Sequence, residues 1–336
     1  MTKLTFAKTF KAMAAALAVT LAAGGVTEAQ AAYNMRVYSS LPGDEQSSHY
    51  VWFKHFEESL KAKAGDEIKL HYFPNGMLGK EADACQQVKM GAIQLMISGT
   101  SIWATLVPEI GVLDLGYLFN NFDEVGAALD GKAGEKLGSM LQKKAGVAVL
   151  GFGYNLGARN IYTKKEIKTP EDLKNVKIRV LPVPTFIATF EAMGAVPIPM
   201  PGGEVYSSLQ MGVIDGVEHD APTVLSSKYY EQAKFGYRTH HVFNPIVAVM
   251  NQNLLNTLPD NLKTAVMEAA REATAAERAT AVEAEAKAFE ALEAQGVKFT
   301  ECPDGTFTEA VKPVWEDFIA KYPDTKEILD SIVSAQ

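Results

Sequence analysis

From residue 34 onward the apolar positions switch repeatedly between a period of two and a period near 3.6. Asn34 to Ser39 reads as a strand, and Gln46 to Ala64 as a helix with Tyr50, Phe53, Phe56 and Leu60 on one face. Glu67 to Phe73 reads as a strand ended by Pro74-Asn75-Gly76, Glu81 to Met90 as a helix stopped by Gly91, and Ile93 to Ser98 as a strand. This β-α-β-α-β order argues for α/β layers on a largely parallel sheet. Val147 to Gly153 is a further strand, followed by short β runs at Asn160 to Thr163 and Lys177 to Leu181. Between those runs Thr169-Pro170-Glu171-Asp172 is a helix start: threonine caps, proline fits the first helical position, and acids suit the positive helix end. Pro245 to Met250 is a late apolar strand. Pro259 then opens an alanine- and glutamate-rich run to Gln295, stopped by Gly296 and free of Gly and Pro after its first residue. At ~1.5 Å per residue this helix reaches about 50 Å. An ordinary surface helix accounts for its composition but not its length.

The N-terminus has a different pattern. Lys3, Lys8 and Lys11 precede an apolar stretch from Met13 to Ala23, too short to span a bilayer, and Ala29-Gln30-Ala31 is a small-residue cleavage site. The expectation is an export signal at residues 1–31, cleaved near Ala31, and a periplasmic mature protein. The formal charge of −8 becomes −10 without that segment. So acidic an exported chain is a poor partner for nucleic acid or anionic lipid. About 305 remaining residues suggest two lobes rather than one core. Cys85 lies in a helical pattern and reads as a buried free thiol; no spacing indicates a disulfide with Cys302.

Against that acidic background two arginines stand out. Arg159 precedes one short β run and Arg179 sits inside the next, flanked by Ile178 and Val180. Strand, short helix, strand is a compact unit able to bring both guanidiniums to one cleft edge. Burying Arg179 in such a run is costly without an anionic partner, which is either a native acid or a ligand. Arginine grips a carboxylate bidentately and stays charged at any relevant pH. Tyr154 and Asn155 follow the 147–153 strand, at the end where open α/β sheets bind ligands. Ser98-Gly99-Thr100-Ser101 follows another strand and supplies hydroxyls; Trp103 either walls the cleft or fills the core. Gly151 to Gly157 imitates a dinucleotide fingerprint but is spaced G-x-G-x-x-x-G and precedes a strand, so nucleotide binding is not expected.

The runs G-A-R at 157–159, T-K-K-E-I-K, D-L-K-N-V-K-I-R-V, E-V-Y-S-S-L-Q-M-G and I-D-G-V-E at 214–218 resemble, in order and spacing, the solute-binding subunit of tripartite ATP-independent periplasmic (TRAP) transporters. F-P-N-G-M-L-G-K-E and L-P-D-N-L-K extend the resemblance over nearly the whole mature chain. It implies an α/β, two-lobed periplasmic-binding-protein-like fold with a hinge and a long linking helix. Lobe I would take 33–156 and 245–284, and lobe II 157–244 and 285–336. It implies that Arg179 clamps a ligand carboxylate and that Arg159 matches a second ligand arginine. Glu81 falls where relatives place a ligand-facing polar residue. Glu218 and His219 fall at the motif's end, where histidine departs from the commoner amide or aromatic residue; a cation held by Glu218 and Asp220 is the alternative there. The implied partners are a small organic acid and membrane permease subunits, with no cofactor and a monomeric receptor.

The function expected is capture of an organic acid anion, with a sugar acid or hydroxy acid preferred because Thr100, Ser101, Tyr154, Asn155 and His219 can bond hydroxyls. A C4-dicarboxylate or a sulfonate is the alternative ligand. The alternative class is a periplasmic enzyme on organic acids, yet no G-x-S-x-G, H-E-x-x-H, C-x-x-C or phosphate loop is present.

Overall fold

The computed structural model describes residues 32–335, leaving the expected export segment outside the described residues. Eleven strands are found among them: β1 (Tyr33–Tyr38), β2 (Ile68–Phe73), β3 (Leu95–Gly99), β4 (Val147–Gly153), β5 (Arg159–Thr163), β6 (Lys177–Val180), β7 (Val196–Pro199), β8 (Gly216–His219), β9 (Phe235–Val242), β10 (Ile246–Asn251) and β11 (Lys298–Glu301). They form two sheets, of order β2-β1-β3-β10-β4 and β11-β9-β5-β8-β6-β7.

In the first sheet β1 pairs in parallel with β2 and β3, as the alternating pattern predicts. The sheet is mixed rather than largely parallel, because β10 enters between β3 and β4 antiparallel to both. All six residues of β10 are buried, which is why it reads as a continuous apolar run rather than an alternating one. The Ser48–Ala64 helix covers one face of this sheet with Trp52, Phe53, Phe56 and Leu60.

The second sheet corrects one expectation. β5 and β6 are not neighbours, because β8 lies between them, antiparallel to β5 and parallel to β6. The predicted helix start between them is one turn, Pro170–Leu173, closed by a capping box between Thr169 and Asp172. Arg159 and Arg179 therefore stand on alternate strands, with the β8 residues Val217, Glu218 and His219 between.

The long helix runs over Asp260–Ala294, 35 residues. Its first half packs on the 48–64 helix, where Trp52 donates to Thr274 and Lys63 pairs with Glu268 and Glu272. Its second half buries Ala288 and Leu292 with Val217, Val224 and Val297 of the second sheet's layer. Between these contacts it holds the chain crossing from β4 to β5. Glu277 Oε2 accepts from Tyr154 N–H at 2.9 Å, Glu285 Oε1 accepts from Ala158 N–H at 2.9 Å, and Arg278 donates to Phe152 O. Gly153 is required there, since a Cβ on it would stand 2.3 Å from Glu277 Oε2.

The last helix, Lys326–Val333, buries Ile328, Leu329 and Ile332 against Leu129, Ala133 and Leu137. The C-terminal segment expected in the second lobe thus ends against the first sheet's layer, because its apolar stripe finds its partner there. Cys85 and Cys302 are both free, Cys85 within the core.

Candidate functional site

A small cavity lies where strand ends from both sheets converge. Ser40 and Leu41 reach it from beyond β1, Gly99 and Ser101 from the end of β3, Asn155 from beyond β4 and Asn244 from just before β10. From the second sheet come Arg159 of β5, Leu181 beyond β6 and His219 at the end of β8; Glu81 and His49 complete it from helices. A larger groove of about 600 Å³ passes Pro108, Val183 and Val314, but its charged residues, Glu191, Asp317 and Lys321, are all exposed. Buried polar chemistry is concentrated at the smaller cavity.

Arg159 is 2 % exposed and already neutralised. Its Nε donates to Glu218 Oε2 at 2.5 Å and its Nη2 to Oε1 at 2.8 Å, a bidentate pair across neighbouring strands. The guanidinium also stands 5.3 Å over the Phe186 ring. His241 Nε2 lies 3.3 Å from the same carboxylate, and Thr239 holds His241 Nδ1 at 2.8 Å. Burial alone would raise the Glu218 pKa, but the Arg159 charge and the bonds from His241 and Arg159 hold it down to about 2.

Arg179 is equally buried, at 2 %, but meets no carboxylate among the described residues. Its Nε and Nη2 both donate to the carbonyl of Met200, at 3.0 and 2.8 Å. That carbonyl orients the guanidinium without neutralising it, and Nη1 has no hydrogen-bond partner among the described residues. Burial pulls its pKa down, while Tyr229, Glu218 and Glu81 oppose this; the group stays charged. Arg179 does not itself line the cavity, yet its charge is felt by Glu81, which does. Burial raises the Glu81 pKa, against a bond from Ser40 and the charges of Arg179 and Arg159.

His219 lines the cavity with its Nδ1 2.6 Å from Asp220 Oδ2. Asp220 is itself fixed as the cap of the Ala221–Ser226 helix, accepting from Thr223 N–H at 2.9 Å. Asn155 donates to Asn244 Oδ1 at 3.3 Å and accepts from Ser48. Asn244 Nδ2 in turn reaches Ser101 Oγ at 2.7 Å and Asp114 Oδ1 at 3.0 Å. Burial pushes the Asp114 pKa up to about 7, opposed by Ser101, Arg159 and Asn244. This network fixes the cavity's wall on the first sheet's side.

Of the residues singled out in the sequence, Arg159, Glu81, Ser101, Asn155 and His219 line the cavity. Glu218 does not, because its carboxylate is bound by Arg159. Thr100 and Trp103 turn into the core, where Thr100 donates to Pro245 O and Trp103 Nε1 to Ser98 Oγ. The cause is the 3-10 turn Thr100–Thr105, which puts residues three apart on one side and leaves Ser101 and Ile102 to face the cavity. Tyr154 is stacked on Phe122 at 4.8 Å with Arg278 4.9 Å over its ring, away from the cavity. Its backbone, rather than its ring, belongs to the crossing. Asn244 was marked only as a lobe boundary and His49 was not singled out; neither sits in a local pattern that marks it for the cavity. Among the described residues no cluster of three or more His, Cys, Asp or Glu is placed to hold a metal ion, and Glu218 and Asp220 have other partners.

The family model described as "Bacterial extracellular solute-binding protein, family 7" matches residues 38–322. The 2,3-diketo-L-gulonate-binding periplasmic protein YiaO of Escherichia coli is 32 % identical over 295 residues, 87 % of this chain and 89 % of that protein. A TRAP periplasmic solute-binding protein of Roseobacter denitrificans, solved with β-D-glucuronate, matches with a TM-score of 0.84 at 32 % identity, covering 89 % of this chain and 98 % of its own. The sugar acid binding protein DctPAm of Advenella mimigardefordensis, solved with galactonate, matches with a TM-score of 0.86 at 28 % identity, covering 91 % and 99 %.

Proposed function

Because this chain belongs to family 7 of the bacterial extracellular solute-binding proteins, we propose that it is the periplasmic receptor of a TRAP transporter for a sugar acid or a related hydroxy acid. The observation that carries this reading is Arg179, a buried and oriented guanidinium with no carboxylate partner among the described residues. A ligand carboxylate supplies the missing anion. Arg159, held in place by Glu218, presents its remaining edge to the cavity, and Glu81 faces both arginines from the other wall. Asn155, Ser101 and His219 offer bonds to hydroxyls. Relatives that carry glucuronate and galactonate support the ligand class.

Delivery follows from the fold. The lobes meet at the cavity, with boundaries near Leu156 and Asn244 and the C-terminal helix returning to the first lobe. Ligand bound between them biases a hinge equilibrium toward the closed form. Membrane permease subunits then read that form. Export would be directed by residues 1–31; no described helix is long and apolar enough to cross a membrane.

Binding without turnover is favoured by the histidines. Two hydroxyls stand beside imidazoles, Ser39 Oγ 2.9 Å from His49 Nδ1 and Thr239 Oγ1 2.8 Å from His241 Nδ1, but both are buried and neither lines the cavity.

The test is a thermal-shift screen of refolded protein against sugar acids, hydroxy acids, dicarboxylates, sulfonates and neutral sugars. A ligand at a hundred times its Kd should stabilise by ~2.7 kcal/mol, a shift of several degrees. Shifts confined to acids support the receptor reading. Shifts only from neutral or cationic solutes would contradict it.

A further inference from the structure

The cavity's charges do not add up to a site for two carboxylates. Arg159 is matched by Glu218, and Arg179 is left to meet one anion. The other ionisable groups on the wall are Glu81, His49 and His219. Burial lowers the His49 pKa to about 3, so this imidazole brings no positive charge at neutral pH. Burial, then the Arg159 charge, lowers the pKa of His219 as well. A second carboxylate would therefore face Glu81 and two neutral rings, with no cation left to answer it.

The tautomer of His219 follows from its neighbour. Asp220 Oδ1 accepts from Thr223 N–H and Oδ2 accepts from Thr223 Oγ1–H, the arrangement of an ionised helix cap. Burial opposes that ionisation, but the interactions with His219 and Thr223 lower the Asp220 pKa below its ordinary value. Nδ1 has two neighbours of opposite demand: the Asp220 N–H approaches it at 3.1 Å and the Asp220 carboxylate oxygen at 2.6 Å. The carboxylate is nearer and charged, so it is the contact that sets the tautomer, with the proton on Nδ1 donated to Oδ2. Nε2 is then a lone-pair acceptor, and it has no hydrogen-bond partner among the described residues. An acceptor in the cavity wall takes a ligand O–H and repels a carboxylate oxygen. A histidine with its proton on Nε2 could donate to a second acid group; the Asp220 contact removes that option.

We propose that this site selects a monocarboxylate carrying hydroxyl donors and rejects the matching dicarboxylate, with His219 Nε2 as the atom that reads a hydroxyl. This rests on the receptor function above and narrows it: C4-dicarboxylates and sugar diacids are excluded.

Isothermal titration of the refolded protein tests it with two matched pairs. Galactonate and gluconate are each compared with the diacid made by oxidising the terminal CH2OH to a carboxylate. At least one monoacid should bind, and its diacid should bind at least 100-fold more weakly. In His219→Asn the side-chain amide can donate, so the ratio should narrow at least tenfold. Equal affinity of the unaltered protein for both members of a pair, or binding of diacids alone, overturns the inference and leaves the acid-receptor function standing. A ratio unchanged in His219→Asn overturns the role of His219. Failure of every acid in the wider screen overturns the function and this inference with it.

Discussion

Arg159 and Arg179 occupy alternate strands of one sheet, and both are 2 % exposed. Their surroundings differ in one respect. Arg159 meets Glu218 through two charge-assisted bonds, whereas Arg179 meets only the Met200 carbonyl. Burial imposes the same desolvation on each guanidinium, and only one is compensated from within the chain. The difference teaches that residue type and burial do not define a ligand arginine. What defines it is an unanswered charge, held in a fixed direction beside a cavity.

Removing the unanswered charge should have the largest effect on binding. Arg179→Ala should weaken the acid that gives the greatest thermal shift by at least 100-fold, which is about 2.7 kcal/mol. The ligand-free circular dichroism spectrum should be unchanged. Affinity within tenfold of the unaltered protein would remove Arg179 from the site.

Breaking the answered charge should instead act on the fold. Glu218→Gln leaves Arg159 buried without a counter-charge, at a cost of about 3–5 kcal/mol, or on the order of 10 °C in melting temperature. A variant melting within ~2 °C of the unaltered protein, the size of effect an ordinary surface substitution has, would mean that the pair is structurally neutral.

The same pair gives a pH signature. The Glu218 pKa is depressed from 4.5 to about 2, so its stabilising contribution is full above pH 4.5 and lost as pH falls through about 2. The stability gap between the unaltered protein and Glu218→Gln should therefore shrink on acidification across that window. A gap that stays constant would contradict the assigned ion pair.

An effect of opposite sign belongs to the crossing. Burial raises the Glu277 pKa from 4.5 to about 8, against the bond from Tyr154 N–H and the Arg278 charge. The folded state then holds the extra proton, and stability falls as pH rises between those values. Glu277→Gln cannot ionise, so its melting temperature relative to the unaltered protein should climb by a few degrees from pH 5 to pH 8. No change in that difference would mean that Glu277 is ionised when folded.

Much of this was legible locally. The two-period pattern located β1 to β4 and β10 to within a residue or two, and the uninterrupted 260–294 helix was announced by its lack of Gly and Pro. Arg179 was legible because a charge inside Ile178-Arg-Val180 has no local reason to be there. The partner of Arg159 was not, because Glu218 is 59 residues away and becomes its neighbour only when β8 inserts between β5 and β6. Asn244 is hidden for the same reason, since it meets Ser101 and Asp114 across 143 and 130 residues. Thr100 was expected in the cleft, and Trp103 in cleft or core, because the segment after the Ile93–Ser98 strand was read as an open cleft edge, where the chain in fact tightens into a 3-10 turn that sends both side chains into the core.

The central claim is that the charge of Arg179 is answered by a ligand carboxylate. The most direct measurement leaves the protein unaltered and changes the ligand: titration with the best-binding acid and with its carboxamide, which keeps the shape and removes the charge. The account predicts that the carboxamide binds at least 100-fold more weakly, about 2.7 kcal/mol. Binding of the two within tenfold of each other would contradict it.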